Sequence, residues 1–434
     1  MRHHAFYCIT LISILLLASC SSRQRYVITD YGAVGDSLTM NTQAIQQLID
    51  DCAQKGGGTL VVPSGTFLTG ALFFKQGVNL YLEEGGKLQG SVLQDDYPNI
   101  DTRWEGIERK WTSALINFIG VKGCIVSGKG TIDGSGDIWL ANSNEARRRR
   151  EALQDSLQQA YPDSVITLPA IPYVGRPRLI CFQECSDVII RDIRLHNQAV
   201  WCLHILYSNN VLASNLHISA NHDIPSSDGI DIDSSTDVVV EKCTIDVNDD
   251  CISIKAGKDS DGLRVNRPSE RIVVRDCLFG YGHGGVAMGS ETSGSIRNVE
   301  ITDCIADAGN WAPIRFKTQP SRSGVVEDIV FRNIEIRDAR QAFEMNMEWR
   351  MVNPLPPADV LPVFRNIRLI GVHGKANATG SLHGLADSPI QNVIFEDCNI
   401  QSYSDLQVSN VIGLQREGLH VELMERPARN NSRP

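Results

Sequence analysis

One pattern of apolar and polar positions recurs along this chain that neither a helical period nor simple strand alternation explains. Segments starting at Asp187, Asn210, Asp237, Arg271, Asn298, Asp328, Asn366 and Asn392 begin with a polar residue and carry apolar residues at the first, third and sixth positions after it. The first position reads Val188, Val211, Val238, Ile272, Val299, Ile329, Ile367 and Val393, all β-branched. The third holds Ile190, Ala213, Val240, Val274, Ile301, Phe331, Leu369 and Phe395; the sixth holds Ile193, Leu216, Cys243, Cys277, Cys304, Ile334, Val372 and Cys398. Alternate residues of a strand share a face, so the first and third positions line one interior. The sixth has the opposite parity and needs a bend before it to turn inward. The starts lie 23, 27, 34, 27, 30, 38 and 26 residues apart. That spacing predicts the coils of a parallel β-helix, an all-β solenoid with loops of varying length on one side. A β-sandwich would show turn signals every ~8–12 residues.

Ahead of the repeats, residues 41–49 have helical period and stop before Gly56-Gly57-Gly58, a strong breaker. A strand at 59–62 and a Pro63-Ser64-Gly65 turn follow. The short helix is predicted to cap the open end of the solenoid, where a strand edge would otherwise stay exposed. This opening, from Tyr26 through Val27-Ile28-Thr29-Asp30-Tyr31-Gly32, resembles the start of the pectin-lyase-like right-handed β-helix superfamily. Earlier still, Arg2, His3 and His4 precede an apolar run at 9–18, too short to span a bilayer and readable as a secretory signal. Leu17-Ala18-Ser19-Cys20 resembles the bacterial lipobox. The resemblance implies a lipoprotein signal over 1–20, lipidation of Cys20, and a mature protein anchored to a membrane, periplasmic or at the cell surface. One β-helix domain is expected over 26–430. It is interrupted by an insertion at about 137–176, where residues 144–160 look helical and polar and Arg147 to Arg150 read as a solvated face.

Composition sharpens this outline. A solenoid grows by adding coils, so 434 residues fit one domain. A formal charge of −10 disfavours nucleic acid as a partner and gives a polyanion no global attraction, so any anion site must be locally basic. Twelve cysteines in an exported chain invite a disulfide framework. Yet Cys243, Cys277, Cys304 and Cys398 fill a position that Ile, Leu and Val hold in other coils, which predicts reduced core residues. Cys181 and Cys185 have no second pair at matching spacing, so no metal site is expected, and no cofactor.

Four polar clusters then stand out: Ser226-Ser227-Asp228-Gly229-Ile230-Asp231, Asn248-Asp249-Asp250-Cys251, Gly282-His283-Gly284 and Arg315-Phe316-Lys317. Asp249 follows Asp228 by 21 residues, His283 follows Asp250 by 33, and Arg315 follows His283 by 32, about one coil each time. Stacked strands lie about 4.8 Å apart, so the three carboxylates are expected to meet on neighbouring coils. Crowded carboxylates push at least one pKa up, keeping one group protonated as an acid while its neighbours serve as base. Asp249 and Asp250 need a bend if both are to face one side. The glycines around His283 allow close backbone approach to a ligand. Arg315 and Lys317 share a strand face across an inward Phe316 and suit a carboxylate.

In that order, the clusters resemble the signatures of glycoside hydrolase family 28, the polygalacturonases and their relatives. The resemblance extends from about Tyr26 to Cys398, with Gly130-Thr131-Ile132-Asp133-Gly134, Arg176-Pro177, Trp201 and His204 as supporting pieces. It implies hydrolysis of α-linked galacturonate bonds in a pectic polysaccharide by single displacement with inversion. By position it makes Asp249 the general acid, Asp228 and Asp250 the groups that activate water, His283 a partner that tunes the acid, and Arg315 with Lys317 the clamp on the uronate carboxylate. Two departures count. Ser226-Ser227 replaces the family's Asn-Thr, which weakens the case for plain homogalacturonan, and Phe316 replaces a smaller aliphatic. A rhamnogalacturonan hydrolase or an exo-acting galacturonidase of the same family remains an alternative. So do a calcium-dependent polysaccharide lyase and a non-catalytic glycan-binding β-helix. A monomer is expected.

Overall fold

In the computed structural model, which describes residues 24–162, 168, 175–307, 309–350 and 355–426, the eight repeat segments stack in register. Val188, Val211, Val238, Ile272, Val299, Ile329, Ile367 and Val393 pair in one parallel ladder, and Ile190 through Phe395 pair in another. The bend that the sixth position demands is a single left-handed residue at the fifth: Asp192, Asn215, Lys242, Asp276, Asp303, Asn333, Gly371 and Asp397 all have φ between 50° and 63°. The segment starts are left-handed too, with φ of 53° to 57°. Asn and Asp tolerate that region through local hydrogen bonds of their short side chains, which is why polar residues frame each apolar stretch. They also bond coil to coil, as Asn210 to Asp187 at 2.6 Å and Asn366 to Asp328 at 2.9 Å.

The strands form a 23-stranded sheet, bent by those left-handed residues into two walls, and an 11-stranded sheet that makes the third. Their pairings are parallel, and parallel crossovers of this kind wind right-handed. The interior is a continuous apolar column. The cysteines of the sixth position lie in it, and the ten cysteines among the described residues are all buried and unpaired. Phe316 points inward onto Phe331 and Phe364, as its alternation required.

The capping helix spans Thr42–Gln54, beyond the predicted end, and buries Ile45, Leu48, Ile49 and Cys52. In the insertion the helix is also longer than its polar stretch, Gly136–Ala160, because Trp139 anchors its first turn in the core. Arg148 and Arg149 pair with Glu145 on the exposed side. Cys20, the apolar run at 9–18 and most of 163–174 lie outside the described residues. No helix among the described residues is long and apolar enough to cross a membrane.

One element had no signal in the repeat. Asn99–Trp104 and Ile107–Thr112 form an antiparallel hairpin that leans over the outer face of the 11-stranded sheet. Its Arg103 is 0% exposed and bonds Asp233 at 2.7 Å and the Ser234 hydroxyl at 2.8 Å. Its Trp104 packs between Trp111 and Trp201.

Candidate active site

Strands of the third wall alternate in a simple way: apolar residues enter the core and polar ones face out onto a cleft floor. Ile230 and Ile232 point in, so Asp231 and Asp233 point out; Ile252 and Ile254 point in, so Ser253 and Lys255 point out. Register then aligns Asp231, Ser253, Ala287, Arg315 and Glu344 across successive coils. The chemistry sits just before these strands begin. Asp249 lies in a bend and Asp250 just after it, so both face the same side as Asp228 on the preceding coil. One oxygen from each of the three carboxylates falls within 4.8 Å of the others.

Each carboxylate already has its own cation. Lys317 Nζ donates to Asp250 Oδ2 at 2.5 Å, and Arg315 reaches Asp250 Oδ1 at 3.6 Å while its Nε donates to Glu344 at 2.6 Å. His283 Nδ1 lies 3.2 Å from Asp249 Oδ1. Lys255 Nζ stands 3.6 Å from Asp228 and 3.0 Å from Asp231, stacked 4.0 Å over the Trp201 ring. Arg315 and Lys317 therefore share a face as predicted, but both are buried and engaged by protein carboxylates, with Trp349 lying over them. The flanking glycines also have another use. A side chain at Gly284 would come within 2.8 Å of Asp250 Oδ1, and one at Gly282 within 2.8 Å of the Asp249 carbonyl. They let the next coil close under the carboxylates.

Exposure and charge separate the three acids. Asp228 and Asp250 are 3% and 1% exposed, whereas the Asp249 side chain keeps 26% of its surface. Burial, with Asp231 and Asp249 alongside, pushes Asp228 well above the usual carboxylate range. Burial alone would raise Asp249 as well, but the His283 hydrogen bond and the Lys317 charge outweigh it and hold Asp249 low. In the protein alone the shifts run in opposite directions, up for Asp228 and down for Asp249.

The cleft around them has a volume of about 250 Å³. Trp104 and Trp201 stand at one end and Trp349 at the other; Lys255, Lys258 and Arg322 add positive charge to the lining that Arg315 and Lys317 began. Glu105 and Glu291 line the cleft too, so its five Lys and Arg side chains face five carboxylates, counting the three aspartates, and the cleft is densely charged with both signs. Lys255, Glu344, Trp349 and the hairpin Trp104 were not singled out from the sequence. Lys255 alone had a readable signal, a cation on the outward face of the strand following Asp250. Glu344 stands in register with Arg315 on the next coil, whereas Trp104 is on the hairpin and Trp349 in a loop, which no repeat specifies. Among the supporting pieces, His204 lies on the same outward row, one coil before Asp231, 2.7 Å from Arg178 and 3.6 Å from Asp233, and burial pushes it down to about 4.

Clustered carboxylates beside buried cations in a cleft on a parallel β-helix fit a glycoside hydrolase. The chain belongs to the glycosyl hydrolases family 28, whose model matches residues 173–416. Residues 25–83 match a second model, rhamnogalacturonase A/epimerase, pectate lyase-like. The chain is 28% identical over 396 residues to a probable polygalacturonase of Vitis vinifera, covering 88% of this chain and 75% of that one. It is 28% identical over 348 residues to an exo-poly-alpha-D-galacturonosidase of Dickeya chrysanthemi, covering 74% and 57%. Its fold matches the hyperthermoactive exopolygalacturonase of Thermotoga maritima with a TM-score of 0.74 at 27% identity, covering 90% and 92%.

Proposed function

We propose that this enzyme hydrolyses α-linked galacturonate bonds of pectic chains from a chain end. The observation that carries the reading is the cleft itself. Three carboxylates sit beside Lys255, Arg315 and Lys317 in a pocket lined by three indoles, and Trp104 is fixed through the buried Arg103–Asp233 pair. The relatives named as exo-acting enzymes support the choice of a chain end.

In the proposed mechanism Asp249, the exposed acid, protonates the leaving oxygen. Asp228 and Asp250 activate a water, and His283 holds Asp249 in place. The proton must then reach Asp249. A uronate carboxylate beside Arg315 and Lys317 adds a negative charge and draws on the cations that keep Asp249 low, so both effects raise it. The acid–base separation usual for inversion is about 6.5–9.5 Å, against about 5–5.5 Å for retention. The nearest oxygens here are closer than either. Inversion is proposed nonetheless, as the family resemblance implies, with the buried Asp228 and Asp250 acting as bases and not as nucleophiles. Export as a Cys20-lipidated protein completes the proposal, and acyl-chain labelling lost on Cys20→Ser tests it.

The deciding experiment is product analysis with chelator present, on homogalacturonan, rhamnogalacturonan backbone and their oligomers. Early products are followed by proton magnetic resonance. Saturated monomer or dimer of inverted anomer is expected. Unsaturated products would move the enzyme to a lyase mechanism, and retained anomer would make one of the buried carboxylates a nucleophile.

A further inference from the structure

The exposed row that carries His283 continues onto the next two coils, outside the reaction pocket. Gly282 pairs with Asn310 and Gly284 with Ala312, which sets Trp311 beside His283, about 4.8 Å along the helix axis. Trp311 is 36% exposed on a strand whose other residues are buried. One coil further on, the Arg340 backbone N–H donates to the Asn310 carbonyl at 2.9 Å, and its guanidinium lies 4.0 Å over the Trp311 ring. Nearby Arg337 is tied to Asp307 and Glu335. Arg340 makes no ion pair among the described residues. Stacking uses the face of a guanidinium and leaves its N–H edge in plane for two-point binding of a carboxylate. Trp311 also fixes the cation beforehand, so little freedom is lost when an anion binds.

We propose that Trp311 and Arg340 form a second uronate-binding subsite, which takes the carboxylate of a chain unit beyond those flanking the cleaved bond. The inference rests on the galacturonate reading of the main site. His283 lines the pocket and neighbours Trp311 in register, so a chain leaving the pocket past His283 meets Trp311 next. A polymer bearing one carboxylate per unit presents its charges at intervals that successive coils can meet. A neutral glycan would gain nothing from Arg340.

The test compares galacturonate dimer with hexamer for the wild type and for Arg340→Gln, Arg340→Lys and Trp311→Ala. A charge-assisted hydrogen bond lost from substrate binding should raise KM for the hexamer by about tenfold at unchanged kcat. KM for the dimer should stay as in the wild type. Arg340→Lys should recover only part of the loss, because an ammonium lacks the fork. Equal KM changes at both lengths, or none, overturn the subsite while leaving the main site standing. Calorimetry of hexamer binding to Asp249→Asn, with and without Arg340→Gln, gives the same comparison without turnover. A wild type that neither cleaves nor binds any galacturonate oligomer would overturn the functional reading itself, and the subsite with it.

Discussion

Lys317 donates to Asp250 across 2.5 Å, and both side chains are buried. From the sequence, loss of Lys317 would mainly weaken substrate binding. The pairing adds a second consequence, since Lys317→Met leaves a buried carboxylate without its cation. Removing one member of such a pair costs roughly 3–5 kcal/mol. Lys317→Met should therefore lower unfolding free energy by that order in denaturant titrations, and the Lys317→Met/Asp250→Asn double variant should recover much of it. Equal stability of wild type and single variant would mean that solvent reaches Asp250.

Asp249 and His283 are expected to act as one unit. Asp249→Asn should lower kcat by about 10²–10⁴-fold, the usual worth of a general acid, with KM little changed. The hydrogen bond that His283 donates to Asp249 is the first reason the His283 pKa is raised. Its titration, followed by magnetic resonance, should fall towards the ordinary histidine value in Asp249→Asn. Near-normal turnover of Asp249→Asn would transfer the acid role to Asp228.

Asp231 gives the site a pH dependence with a definite sign. Burial raises it to about 7, against 3.8 for the free side chain, although Lys255 opposes the rise. The folded state thus holds a proton that the unfolded chain has released, so stability should decline as pH climbs from about 4 through 7. Asp231→Asn should flatten that decline. It also removes a charge that lifts Asp228 and relieves Lys255 of one of its competing carboxylates. The alkaline limb of kcat/KM should consequently move to lower pH, and a limb unmoved or moved upward would contradict this account.

The hairpin can be tested through its anchor. Arg103→Met strips Asp233 of the guanidinium that keeps it ionised in spite of burial. Besides a loss of the same order as for Lys317, the Trp104 wall should loosen. Product profiles on homogalacturonan should then shift from monomer or dimer towards longer fragments. An unchanged profile in a folded variant would show that the hairpin does not set the mode of attack.

Much of this protein is legible in its sequence because a β-helix repeats one local rule. Inward β-branched residues, left-handed Asn or Asp at fixed offsets and one coil per motif are short-range facts, and they locate Asp228, Asp249, Asp250, His283, Arg315 and Lys317 on adjacent coils. Stacking at strand spacing brings the three carboxylates within 4.8 Å of one another. What the sequence left open depends on charges and loops that meet only in space. Whether the proton rests on Asp228 or Asp249 is decided by Lys255, Lys317 and His283 at distances of 2.5 to 3.6 Å from the cluster. Whether the cleft is an open groove or a walled pocket is decided by Trp104 and Trp349, carried on segments outside the repeat. Local periodicity determined the scaffold and the order of the chemical groups; their protonation and the shape of the cleft are long-range properties, fixed only once the coils had stacked and the loops had closed over them.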